Sequence, residues 1–171
     1  MSSAAARGLA PWRWLGLPML AVMAGAFLFA LPIRVFGVSL PEPVFALPVA
    51  FAWAYIRPSM LAPICVMIIG LYQDLLWGSP LGFWAVCLLL PYGVVLGSRS
   101  ILAGQSRLMM WVWYGAATLL ALGAGYLFTM LNSQNAPDAV AVFWQFLATV
   151  VLYPFADRLI ERFEDADVRF R

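Results

Sequence analysis

The chain contains no histidine and no lysine; all ten basic residues are arginine. Without His, the commonest general base and the commonest metal ligand are missing. Cysteine is nearly absent. Cys65 and Cys87 both lie inside apolar runs, where a thiol reads as a small buried hydrophobe rather than half of a disulfide or a metal site. Charge is scarce as well: 11% of the 171 residues are charged, against about 25% in soluble domains. There is no His-based triad, no Cys/His cluster, no GxxxxGK[ST] loop and no pair of carboxylates within an apolar span. These absences exclude ordinary acid–base catalysis and leave no catalytic, cofactor or metal residue to assign. The arginines do not cluster into a nucleic-acid surface.

What is present is apolar. Hydrophobic residues make up 64% of the chain, where a soluble domain has about 45–50%. This composition indicates an all-α integral membrane protein, and the length suits one compact bundle in the bilayer. Six spans are expected, at about 14–33, 42–56, 59–77, 82–97, 108–131 and 139–156. The first is longer than the 7–15 residues of a signal-peptide core and lacks a convincing cleavage site, so it is read as a retained helix. The second is short for a core about 30 Å thick, and Pro48 is expected to break it. It either begins nearer Leu40 or crosses where the bundle is thin. A small polar link, Ser100 to Ser106, and a polar loop, Asn132 to Asp138, separate the later spans. A charged tail, 157–171, closes the chain; Leu159, Ile160 and Phe163 share one helical face of it, suited to solvent, the interface or a partner.

Orientation follows from the arginines. With both ends in the cytoplasm, Arg7, Arg13, Arg57, Arg99, Arg107, Arg158, Arg162, Arg169 and Arg171 are all inside, and Arg34 alone is outside. An odd number of spans would put the tail arginines on the wrong side. Trp12, Trp14, Trp77, Trp84, Trp111 and Trp113 fall near span ends, as interfacial aromatics do.

The stretch Gly70-Leu-Tyr-Gln-Asp74-Leu-Leu-Trp-Gly78-Ser-Pro80-Leu81-Gly82 holds the single acidic residue inside an apolar span. Four-residue spacing would align Gly70, Asp74, Gly78 and Gly82 on one helix, but Ser79-Pro80 interrupts it. A helix, a tight turn and a second helix opening near Gly82 are expected. Asp74 would lie about 5–10 Å below the outer surface of a core about 30 Å thick, where a carboxylate needs partners. Two are visible: the backbone N–H groups opening the next helix, around Gly82 and Phe83, and Arg34. The residues leave three roles open for Asp74: pinning the hairpin, partner recognition or gating, and proton or ion transport. Small residues at helical spacing, Gly93-x-x-x-Gly97, Ala26-x-x-x-Ala30 and the row Ala117, Ala121, Gly125, suit packing inside the bundle or between molecules.

Gly70-Leu-x-x-Asp74-x-x-x-Gly78-x-Pro80-Leu81-Gly82 in the third of six spans resembles the rod shape-determining MreD family of bacteria. Tyr55-Ile-Arg57-Pro58 and Leu152-Tyr153-Pro154 are similar to its alphaproteobacterial branch. The resemblance implies a non-enzymatic inner-membrane protein of the elongasome, which directs lateral-wall peptidoglycan synthesis and sustains rod cell shape. It implies MreC as partner, with MreB, RodA and the transpeptidase partner of RodA in the same machinery. It also implies a fold like the six-helix S component of energy-coupling-factor transporters. That likeness supplies the alternative function, a substrate-binding subunit for a vitamin or other small molecule. Such a subunit needs an outward pocket, for which Asn132, Gln134, Asn135 and Trp144 are the best residues.

Overall fold

The computed structural model describes residues 15–30, 43–56, 59–133 and 138–168, without the side chains at 29, 133 and 163–168. Among the described residues the chain is all-helical. Its helices are α1 (Leu17–Ala30), α2 (Ala46–Ile56), α3 (Leu61–Trp77), α4 (Phe83–Gly97), α5 (Arg99–Leu102), α6 (Arg107–Ser133), α7 (Ala139–Val150) and α8 (Tyr153–Val168). Two segments, Arg107–Asn132 and Ala139–Arg162, are long and apolar enough to cross a membrane; α1 to α4 are apolar but shorter.

The centre of the molecule is α2. It is apolar all round, and all of Ala46 to Ala54 is buried. A helix that is apolar on every side belongs inside other helices, and α2 packs against α1, α3, α4, α6 and α8. Its 11 residues give it a length of about 16 Å at 1.5 Å per residue. Pro48 does not break it. The helix opens at Ala46, so Pro48 falls in the first turn, where no intrahelical acceptor awaits its missing N–H.

Around α2, an antiparallel pair α3–α4 forms one wall, and α6 packs on α4 and α7. The last apolar stretch is bent rather than straight. Pro154 has no N–H to give the carbonyl of Val150, and that carbonyl instead accepts from Trp111 Nε1 at 3.4 Å. The two tight turns at the bend are closed by Leu152 N–H to Thr149 O, 3.0 Å, and Phe155 N–H to Leu152 O, 2.9 Å. Beyond the bend α8 continues through the region expected as a charged tail. Its first half docks on α2 through the buried stripe Tyr153, Ala156 and Ile160.

Thr149 joins the bend to the centre. Its hydroxyl donates to Gln145 O at 2.7 Å and accepts from Val44 N–H at 3.1 Å. Its carbonyl accepts from the Tyr114 hydroxyl at 3.0 Å. The Val44 N–H, just ahead of α2, is thus satisfied by a side chain 105 residues away.

Burial departs from the soluble pattern at the surface, while the core stays mostly apolar. Gln73, Asp74, Thr118 and Thr149 are inside, while Leu20, Ile68, Val94, Leu119, Val140 and Phe143 are among many large apolar side chains outside. The small residues divide likewise. Ala26, Ala117, Ala121 and Gly125 are buried and Ala30 half-buried, as packing residues should be. Gly93 and Gly97 are exposed, and a Cβ at either would meet nothing within 4 Å. They therefore make no packing contact inside this bundle.

Candidate functional site: the α3–α4 hairpin

The last turn of α3 carries Asp74, and the helix ends three residues later because Gly78 adopts φ +65°, a left-handed conformation that suits glycine. The Asp74 carbonyl accepts from Gly78 N–H and, at 3.0 Å, from Ser79 N–H, which closes the C-terminus. The chain turns through Ser79, Pro80 and Leu81. A second left-handed glycine, Gly82 with φ +93°, opens α4. Phe83 N–H donates to Pro80 O at 3.0 Å within this turn.

The opening of α4 has no side-chain cap of its own. Asp74 supplies one from the neighbouring helix. Its Oδ2 accepts from Gly82 N–H at 2.8 Å, and its Oδ1 accepts from Trp84 N–H at 2.9 Å. The carboxylate is 1% exposed, so these bonds replace water entirely. A negative charge at a helix N-terminus also gains from the dipole of α4, which offsets its unfavourable place at the C-terminal end of α3. Of the two partners expected for Asp74, backbone N–H groups are in place, donated by Gly82 and Trp84 rather than Phe83. Arg34 lies outside the described residues.

Gly70 sets how near the two helices come. A Cβ there would stand 2.4 Å from the Cα of Ala85 and 2.5 Å from its nitrogen, so only hydrogen fits. One turn further on, that spacing lets a side chain as short as Asp reach the α4 backbone. Gly70 and Asp74 thus share the α4-facing side of α3, while Gly78 and Gly82 serve the turn. Pro80 and Leu81 form the apex, and Leu81 is 75% exposed. Trp77 and Trp84 meet edge to face beneath it, with centroids 4.8 Å apart.

No known family, curated protein or solved structure matches this chain. The hairpin is therefore interpreted on its own geometry. Both carboxylate oxygens of Asp74 accept from the α4 backbone, which ties α3 to the opening of α4.

Gln73, next to Asp74, carried no role in the sequence reading. It is fully buried, and neither end of its amide has a hydrogen-bond partner. Thr149 was equally silent. Both are polar residues inside apolar spans, which is a usable signal, but neither carries the charge that singles out Asp74.

A cavity of about 790 Å³ lies against the hairpin, between α4, α6 and α7. Asn132 lines it, Trp144 is exposed elsewhere on α7, and Gln134 and Asn135 lie outside the described residues. At the opposite end of the bundle, Arg107 pairs with Asp157 at 3.3 Å and with Glu161, tying the start of α6 to α8.

Proposed function

We propose that this chain is a non-enzymatic membrane scaffold of the MreD type, a six-span inner-membrane protein that binds MreC and supports lateral peptidoglycan synthesis. One observation carries the reading: a turn held rigid by two left-handed glycines and a buried Asp cap presents an exposed apolar apex, Pro80-Leu81. An acid whose oxygens are both taken by backbone N–H groups suits a fixed recognition surface better than a proton carrier. The apolar exterior supports membrane residence for the shorter helices as well as the long ones. Arg99, Arg107, Arg158 and Arg162 fall at the end away from the hairpin, which agrees with an inside full of arginine and a hairpin facing the periplasm. MreB, RodA and the transpeptidase partner of RodA would then be reached through MreC or the cytoplasmic face.

The test compares Leu81→Arg with Asp74→Leu and Gly82→Leu in rod-shaped cells that depend on this chain. Leu81→Arg alters only the exposed apex. Rounded cells and loss of co-purified MreC are expected for all three, with Leu81→Arg still inserted at the normal level. Rods and intact MreC co-purification in all three would refute the scaffold reading.

The cavity favours one second reading, a substrate-binding subunit similar to the transporter S component. A thermal-shift panel of vitamins on the purified chain separates the two, since a specific ligand raises the unfolding temperature by mass action.

A further inference from the structure

The cavity between α4, α6 and α7 carries an inference that rests on its chemistry alone and not on the partner reading. Its size, about 790 Å³, lies within the roughly 300–1,000 Å³ of small-molecule sites. It arises because α7 packs closely on α6 but stands off α4, which leaves a gap with three helical walls. The hairpin closes one end.

The lining has a definite character. No charged side chain contributes to it. The nearest acid, Asp74, is buried and bonded to Gly82 and Trp84. An ion entering a low-dielectric site with no counter-charge bears a large desolvation cost, so charged ligands are disfavoured. Aromatic side chains come from three directions: Trp77 from the end of α3, Phe83 and Trp84 from α4, and Tyr126 and Phe128 from α6. Aromatic walls favour a flat apolar body.

Polarity is weighted toward the hairpin end, where Ser79 in the turn and Asn132 near the end of α6 stand. Thr129 and, from α7, Gln145 add neutral groups further along; Leu122 lies deepest, about 15 Å along α6 from Asn132 at 1.5 Å per residue, and Val86 lines the cavity from the first turn of α4. A hydrocarbon chain would leave the hydroxyl and amide groups at the mouth facing apolar atoms. A molecule with a flat apolar body and a few neutral hydrogen-bonding groups at one end matches both halves.

We propose that this cavity is a binding site for an uncharged, flat, amphipathic small molecule, with its apolar part toward Leu122 and Val86 and its polar edge toward Ser79 and Asn132.

The experiment titrates Nile red, an uncharged flat heteroaromatic dye, into the full chain held in phosphatidylcholine nanodiscs, with empty nanodiscs as the partition baseline. One saturable site per chain above that baseline is expected. Val142→Trp fills the cavity from α7 and should weaken dye binding at least tenfold. Thr129→Phe, filling it from α6, guards against a misfolded first variant and should do the same. Gly93→Leu, on the open face of α4, should change the affinity less than twofold. The anionic dye anilinonaphthalene sulfonate should show no saturable site. Partition indistinguishable from empty nanodiscs, equal binding of the anionic dye, or saturable binding untouched by both cavity-filling variants would overturn the assignment. None of these readouts involves MreC or cell shape, so this site and the scaffold role fail separately.

Discussion

Asp74 is a helix cap supplied by a different helix. A cap from the α4 segment itself would hold only α4; this one holds two helices and the turn between them. Replacing the carboxylate by an amide leaves one good acceptor and turns an N–H₂ group toward a backbone donor. Asp74→Asn is therefore expected to destabilise by about 1–3 kcal/mol, the cost of a buried donor without an acceptor. Gly70→Ala should be at least as damaging, because its methyl group would meet backbone at 2.4 Å and α3 and α4 would have to part. Gly93→Ala is the matched control: nothing stands within 4 Å of its added Cβ, so no loss is expected and the helix interior gains up to about 1 kcal/mol. Thermal unfolding of the three variants in one detergent checks the order. A Gly70→Ala protein as stable as Gly93→Ala would contradict the close approach.

At the scale of elements, much of the helix pattern was legible and its exceptions have local causes. The apolar runs located α3, α4 and α6 to within two residues at every end, because Gly78, Gly82 and the polar links punctuate them clearly. Pro48 misled because its meaning depends on where the helix starts. In the first turn it is harmless; three residues further on it would be a break. The stretch after Asp157 was legible as a helical end, but its docking on α2 was not, since the apolar stripe that makes the contact is narrow. Gly93-x-x-x-Gly97 has the spacing of a packing motif, yet spacing alone does not say which face turns inward. Within the hairpin, the turn residues, the acid and the Gly82 donor were visible; the second donor, Trp84 rather than Phe83, was not, because it depends on how α4 winds after Gly82.

The bend between α7 and α8 was hidden for the same reason. Pro154 announces that the Val150 carbonyl loses its usual donor, but only the fold reveals Trp111 as the substitute. Thr149 is the joint on which this region depends. Thr149→Val keeps the shape and removes the acceptor for Val44 N–H. The expected loss is about 1–3 kcal/mol, with earlier exchange of the amides at the start of α2. Unchanged unfolding temperature and unchanged exchange at Val44 would argue against that role.

On the scale of the whole molecule, the distribution of polarity is the organising fact. Apolar side chains cover much of the outside, the buried Asp74, Thr118 and Thr149 bond to backbone while Gln73 does not, and the described arginines gather at one end. A bundle of that kind is stable where its surroundings are as apolar as its surface. The proposed membrane placement puts the hairpin and the arginine end in opposite aqueous compartments, and both the scaffold and the binding-subunit readings depend on that arrangement. Leu81 and Ala103 are exposed residues at the two ends. Leu81→Cys and Ala103→Cys, each in a background lacking Cys65 and Cys87, place one thiol at each end. Labelling with a membrane-impermeant maleimide is then compared in intact spheroplasts and after lysis. Leu81→Cys should react in intact spheroplasts and Ala103→Cys only after lysis; the reverse order, or protection of both until lysis, would contradict a hairpin on the outer face.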